Sequence, residues 1–129
     1  LDLPSGKLER MFDGWPLVYP RRPARRVVDP PVTVVVDLRL GLPTRLADMR
    51  RVPLFVRQDG LELVEIRPGF LVGWVQSTAG EWWGLVDVDL RTGSGRGHLI
   101  VRQLLPARAI TADRARGKPE AKDPAPERR

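Results

Sequence analysis

The 129-residue chain has no cysteine, no asparagine, a single histidine and three lysines. Without cysteine there are no disulfides, no thiolate metal ligands and no thiol nucleophile. The one histidine, His98, would act as acid or base only beside a group that orients it or shares the work, so a surface or structural role is expected. No apolar run approaches the roughly 20 residues needed to cross a bilayer. The first residues lack the charged-then-apolar layout of a signal peptide. These absences lead to the expectation of a cytoplasmic protein with no membrane segment.

Proline and arginine are abundant instead. Nine of the 13 prolines, at positions 4, 16, 20, 23, 30, 31, 119, 124 and 126, lie outside residues 32–110. That distribution divides the chain into a Pro/Arg-rich arm (1–31), one small folding unit (32–110) and a charged tail (111–129) expected to be disordered. The formal charge is +6, which invites a nucleic-acid reading because basic surfaces gain affinity for phosphate by releasing counterions. The excess is evenly spread, however, at +2 in each of residues 1–29, 30–112 and 113–129 (6 − 4, 10 − 8 and 6 − 4). Arginine outnumbers lysine 19 to 3 and isoleucine occurs three times, a pattern of GC-rich bacterial codon usage that reduces the weight of arginine as a functional signal.

In the arm, Pro20, Pro23, Pro30 and Pro31 interrupt any helix. Pro20-Arg21-Arg22-Pro23-Ala24-Arg25-Arg26 joins a PxxP spacing to four arginines, which suits a polyproline ligand, a phosphate-binding arm or a solvated linker. Trp15, Leu17 and Tyr19 are expected as apolar anchors. Period-two alternation predicts a strand over Val32 to Leu40, with Val32, Val34, Val36, Leu38 and Leu40 on one face. Gly41 to Arg51 reads as a connection in which Thr44 caps a short helix carrying Leu46 and Met49. Asp59-Gly60 predicts a type I′ hairpin between Val52–Arg57 and Leu61–Ile66, setting Arg57 opposite Glu62. Arg67-Pro68-Gly69 suits a type II turn. A second hairpin is expected from Phe70–Gln76 and Trp82–Leu90 about residues 77–81, then a glycine-rich turn over 91–97 into His98–Leu105. Five or six short antiparallel strands at this spacing predict a mainly β fold, a small barrel or sandwich.

Gly80-Glu81-Trp82-Trp83-Gly84, Gly95-Arg96-Gly97 and Pro106-Ala107-Arg108-Ala109-Ile110 together resemble the second half of an SH3 domain. The resemblance covers residues 80–110 and implies an SH3-like barrel with a 3-10 turn before its last strand. It also implies that Trp82 matches the ligand-stacking tryptophan of that family and Pro106 its groove proline. Ala109 stands where the family has an aromatic residue, and the acidic-aromatic loop near the start of such domains has no counterpart.

Asp87 and Asp89 share a strand face and could hold a cation or divide acid and base roles, but Arg91 and Arg102 offer ordinary ion-pair partners. The 91–97 loop has the glycines of a phosphate cradle without the following helix or Lys-Ser/Thr end of a P-loop. No catalytic, cofactor or metal residues are assigned. The remaining candidates are Trp74, Trp82, Trp83 and Leu85. Neighbours on a strand point to opposite faces, so one of Trp82 and Trp83 can fill the core while the other faces a partner, unless the arm or a second subunit buries both. The leading expectation is a non-enzymatic module binding a protein partner through this tryptophan face. The alternative is a nucleic-acid-associated protein that contacts phosphates through Arg21, Arg22, Arg25, Arg26, Arg91 and Arg96. A non-catalytic enzyme subunit is a third reading.

Overall fold

Valine alternation builds the first strand, β1 (Arg25–Asp37), where Val34 and Val36 are buried and Thr33, Val35 and Asp37 are half-exposed. The computed structural model describes residues 8–42 and 51–113. In it β1 is followed by a short helical turn, α1 (Leu38–Gly41), a second helix, α2 (Leu54–Asp59), and the strands β2 (Ile66–Gln76), β3 (Trp82–Arg91) and β4 (His98–Pro106). A 3-10 turn (Ala107–Ala109) then leads into β5 (Ile110–Ala112). The five strands form one antiparallel sheet in the order β4-β3-β2-β1-β5, curled into a half-barrel. The mainly β expectation is met.

The concave side holds the core: Val34, Val36, Leu38, Leu71, Trp74, Val86, Val88, Leu90, Leu105 and Ile110. Burying side chains of this size contributes roughly 1.5–3 kcal/mol each against exposure. Gly84 belongs to the same packing. A Cβ there would run into Ile110 and stand 3.1 Å from Leu71, so the missing side chain on β3 is what admits β5. The β2–β3 hairpin turns at Gly80, with φ +86°, a left-handed conformation that glycine adopts without a Cβ clash.

Several local expectations are corrected. β1 begins at Arg25 rather than Val32, because Pro30 and Pro31 fall inside an irregularity where the ladder passes from Val27↔Gly73 to Val32↔Leu71. Proline lacks a ladder donor but is tolerated in such a bulge. The strand stops at Asp37, whose carboxylate accepts from the Arg39 backbone N–H at 3.1 Å and opens α1. Leu40 therefore leaves the expected strand face.

The Asp59-Gly60 hairpin does not form. Leu54–Asp59 is helical, Gly60 has φ −76° and its N–H donates to the Val56 carbonyl at 2.7 Å. The carbonyls of Gln58 and Gly60 accept from the N–H groups of Ser94 and Gly93, both at 2.9 Å. Docking on the β3–β4 loop thus overrides a local turn signal. Arg57 does not face Glu62, whose N–H instead donates to the Arg91 carbonyl at 2.8 Å. Arg67-Pro68-Gly69 is not a turn either: it lies within β2, paired with Val36, Val35 and Val34 of β1. Thr111 and Ala112, expected in the tail, pair with Val35 and Val34. Asp113, also expected in the tail, is buried, and its N–H donates to the Thr33 carbonyl at 3.3 Å; the expected helix after Thr44 and the tail beyond Asp113 fall outside the described residues.

The chain before β1 is anchored in part by Trp15, as expected, and otherwise by residues that were not expected. Leu8 and Phe12 are buried, the latter in a 3-10 turn (Glu9–Phe12), and Tyr19 is 75% exposed. A Cβ on Gly73 would stand 3.0 Å from Met11 Cε and 3.5 Å from Phe12 Cζ, which places this turn against β2. Trp15 meets the Phe12 ring edge-on at 5.8 Å. The Arg25 guanidinium lies 5.3 Å from the Phe12 centroid, and its Nε donates to the Trp15 carbonyl at 3.0 Å.

Candidate functional site

Alternation along β3 divides its tryptophans. Trp82 packs against the core cluster and is half-buried. Trp83, also half-buried, lies on the other face of the strand, in register between Val75 of β2 and Pro106 of β4. There it lines a groove of about 420 Å³ with Val75, Gln76, Ser77, Ala79, Glu81 and Leu104. The β2–β3 turn supplies one wall and Leu104, 46% exposed, supplies part of the other. Glu81 is the one charged side chain of the lining. The arrangement suits an apolar side chain held beside an acidic rim.

Trp74 is removed from the candidate surface, because it is completely buried in the core. Its Nε1 has no hydrogen-bond partner, so packing rather than hydrogen bonding holds the ring. Leu85 is half-buried opposite Leu104 but does not line the groove. The contributions of Val75 and Leu104 were not assigned from sequence. Leu104 alternates with Arg102 along β4, yet only the β3–β4 register places it near Trp83.

Further along β3 the same face is charged. Asp87 is buried and accepts two hydrogen bonds from Arg102, at 2.8 and 3.0 Å. These bonds hold the Arg102 guanidinium charged more firmly than usual. Asp89 lies 3.3 Å from His98 Nδ1 and 3.7 Å from Arg67 Nη2. Arg67 Nε also donates to the Asp89 carbonyl at 2.8 Å. Arg91, expected beside the two aspartates, instead holds Glu65 with bonds of 2.6 and 2.7 Å. Those bonds lower the Glu65 carboxyl below its ordinary value, the nearby charges of Arg91 and Arg67 lower it further, and burial opposes them. The carboxylates are thus tied to cations of the same sheet region. Among the described residues no three His, Asp or Glu side chains gather as a metal site.

The six arginines of the phosphate reading do not form one surface. Arg25 is committed to Trp15 and Phe12, and Arg91 to Glu65. Arg21, Arg22, Arg26 and Arg96 are exposed. Arg25 pairs beside Val75, near the Trp83 end of β3, whereas the 91–97 loop follows the other end of that strand. At ~3.3 Å per residue those ends are about 30 Å apart.

Among the described residues no helix is long and apolar enough to cross a membrane. Comparison of the chain with family models, curated proteins and solved structures finds no match.

Proposed function

We propose that this chain is a non-catalytic interaction module, built on an SH3-like barrel, that holds an apolar side chain of a protein partner in the groove beside Trp83. The observation carrying this reading is the groove itself, with Trp83, Val75 and Leu104 forming its apolar wall. A partly exposed tryptophan in such a wall supplies large contact area at little conformational cost, as protein-binding hot spots do. The SH3-like part of the reading is supported by connectivity: β5 returns to β1 after the Ala107–Ala109 turn. Recognition would still differ from that family. Trp82, which matches the stacking tryptophan, packs against the core, and Ala109, in place of the aromatic residue, is buried.

The test is quantitative capture of partners from nuclease-treated and untreated lysate by the wild-type chain, Trp83→Ala and the combined Arg21→Ala, Arg22→Ala, Arg26→Ala and Arg96→Ala variant. The module reading expects one set of proteins to be lost with Trp83→Ala and retained by the arginine variant. Capture that ignores Trp83→Ala but disappears on nuclease treatment favours the nucleic-acid alternative instead. In that case DNA affinity should fall steeply with salt, and Arg21→Ala, Arg22→Ala and Arg26→Ala together should flatten the slope by roughly one unit per lost contact.

A further inference from the structure

Among the described residues, one edge of the sheet is left without the usual protection. β4 (His98–Pro106) pairs with β3 along its length, and among the described residues no strand pairs with its other side. Edge strands of native proteins are commonly short, bulged, interrupted by proline or charged, which discourages pairing with another chain. The opposite edge, β5, is three residues long. β4 has nine residues, pairs with β3 without a register shift and carries its one proline at its last position. Its arginine, Arg102, is bound to Asp87 on β3, and His98 lies beside Asp89. Leu99, Ile100 and Leu104 are 49%, 47% and 46% exposed.

We infer that β4 pairs with β4 of a second copy of this chain, antiparallel about a two-fold axis, so that the sheet runs continuously from one subunit into the other. A two-fold axis lying across an edge strand brings that strand against itself in the antiparallel sense and requires it to be self-complementary. β4 meets this requirement. Leu99 and Val101 are apolar on one face and Ile100 and Leu104 on the other. Arg102, the strand's one arginine, has its acidic partner Asp87 within its own subunit, so two copies approach without bringing unpaired like charges together despite a net charge of +6. Main-chain hydrogen bonds would supply the ladder, and the exposed leucines and isoleucine would cover one another on either side.

The full chain is examined by light scattering and sedimentation from micromolar to submillimolar concentration. The mass is expected to rise from 14.5 kDa toward twice that value. Ile100→Lys and Leu99→Lys place charge on exposed positions of the edge, away from the lining of the Trp83 groove. Each is expected to raise the dissociation constant at least about tenfold while circular dichroism stays unchanged. Hydrogen exchange gives a second readout that needs no variant: on dilution, alternate amides of residues 98–106 should lose protection while those bonded to β3 keep it. A monomer at every concentration overturns the inference. So does a dimer indifferent to both substitutions, or one whose β4 amides exchange alike in both states. Protection of the β4 edge by a different protein, in a chain that stays monomeric, overturns the second copy as the occupant without touching the groove reading.

Discussion

The first and second halves of the outer face of β3 differ in what their neighbours place beside them. Trp83 and Leu85 meet Val75 and Leu104, whereas Asp87 and Asp89 meet Arg102, Arg67 and His98. The strand and its period are the same in both halves. In the charged half each carboxylate already has a cation from the same sheet, so little interaction is left for a ligand. The apolar half has shape and an exposed wall. The two aspartates thus have the ion-pair partners that a structural role requires, and of the tryptophans only Trp83 is left as a binding candidate.

The largest effect should come from beneath the apolar half. Gly84→Val drives a side chain into the space held by Ile110 and Leu71, and overpacking of this kind should cost about 3 kcal/mol. Chemical denaturation measures it, and a loss below about 1 kcal/mol would mean that β5 is not seated there.

In the charged half, Arg102→Leu leaves Asp87 buried without its counter-charge. Removing one partner of a buried pair costs ~3–5 kcal/mol. Because the Arg102 side chain is 40% exposed, about 2 kcal/mol is expected, after discounting for solvent screening. Adding Asp87→Leu should recover most of the loss. A double variant no better than the single one would contradict a self-contained pair.

Trp83→Ala should separate the halves by property rather than by size. It is expected to weaken partner binding by about 2 kcal/mol and to change unfolding stability by less than about 1 kcal/mol, since the ring is only half-buried. Equal losses in both measurements would make Trp83 structural.

The smallest effect belongs to Glu65. Its folded-state pKa lies below the ordinary 4.5 because Arg91 hydrogen-bonds the carboxylate. The pair therefore stabilises the fold above the ordinary value, and this contribution is lost as pH falls through the lowered one. Glu65→Gln should cost under about 1 kcal/mol at neutral pH and flatten the stability profile below pH 4.5. An unchanged acid limb would show that the pair contributes nothing.

What could be read in the sequence was what depends on local period. The buried face of Val34, Val36 and Leu38, the hairpin at Gly80 and the separation of Trp82 from Trp83 all follow from alternation and turn chemistry. What could not be read depended on distant partners. Asp59-Gly60 carries a strong hairpin signal, but the carbonyls around it bond to the N–H groups of Gly93 and Ser94. Arg67-Pro68-Gly69 has turn composition, but the valines of β1 draw it into the ladder. Pro30 and Pro31 hide a strand that passes through them in a bulge. The groove was half visible: Trp83 is found by alternation, but Leu104 enters only through β3–β4 register.

The pairing of β1 with β5 also bears on synthesis. Val34 waits for Ala112 as its ladder partner, while β2, β3 and β4 are joined by short loops and can pair as each leaves the ribosome. Local hairpins form before contacts that close long loops. Translation therefore delivers the meander first, with the space beside Gly84 unfilled and Trp74 under an incomplete cover, until Ile110 emerges. A pause in elongation while β4 is outside the ribosome and Ile110 is not would lengthen the interval in which this face is open to chaperones, proteases and other nascent chains.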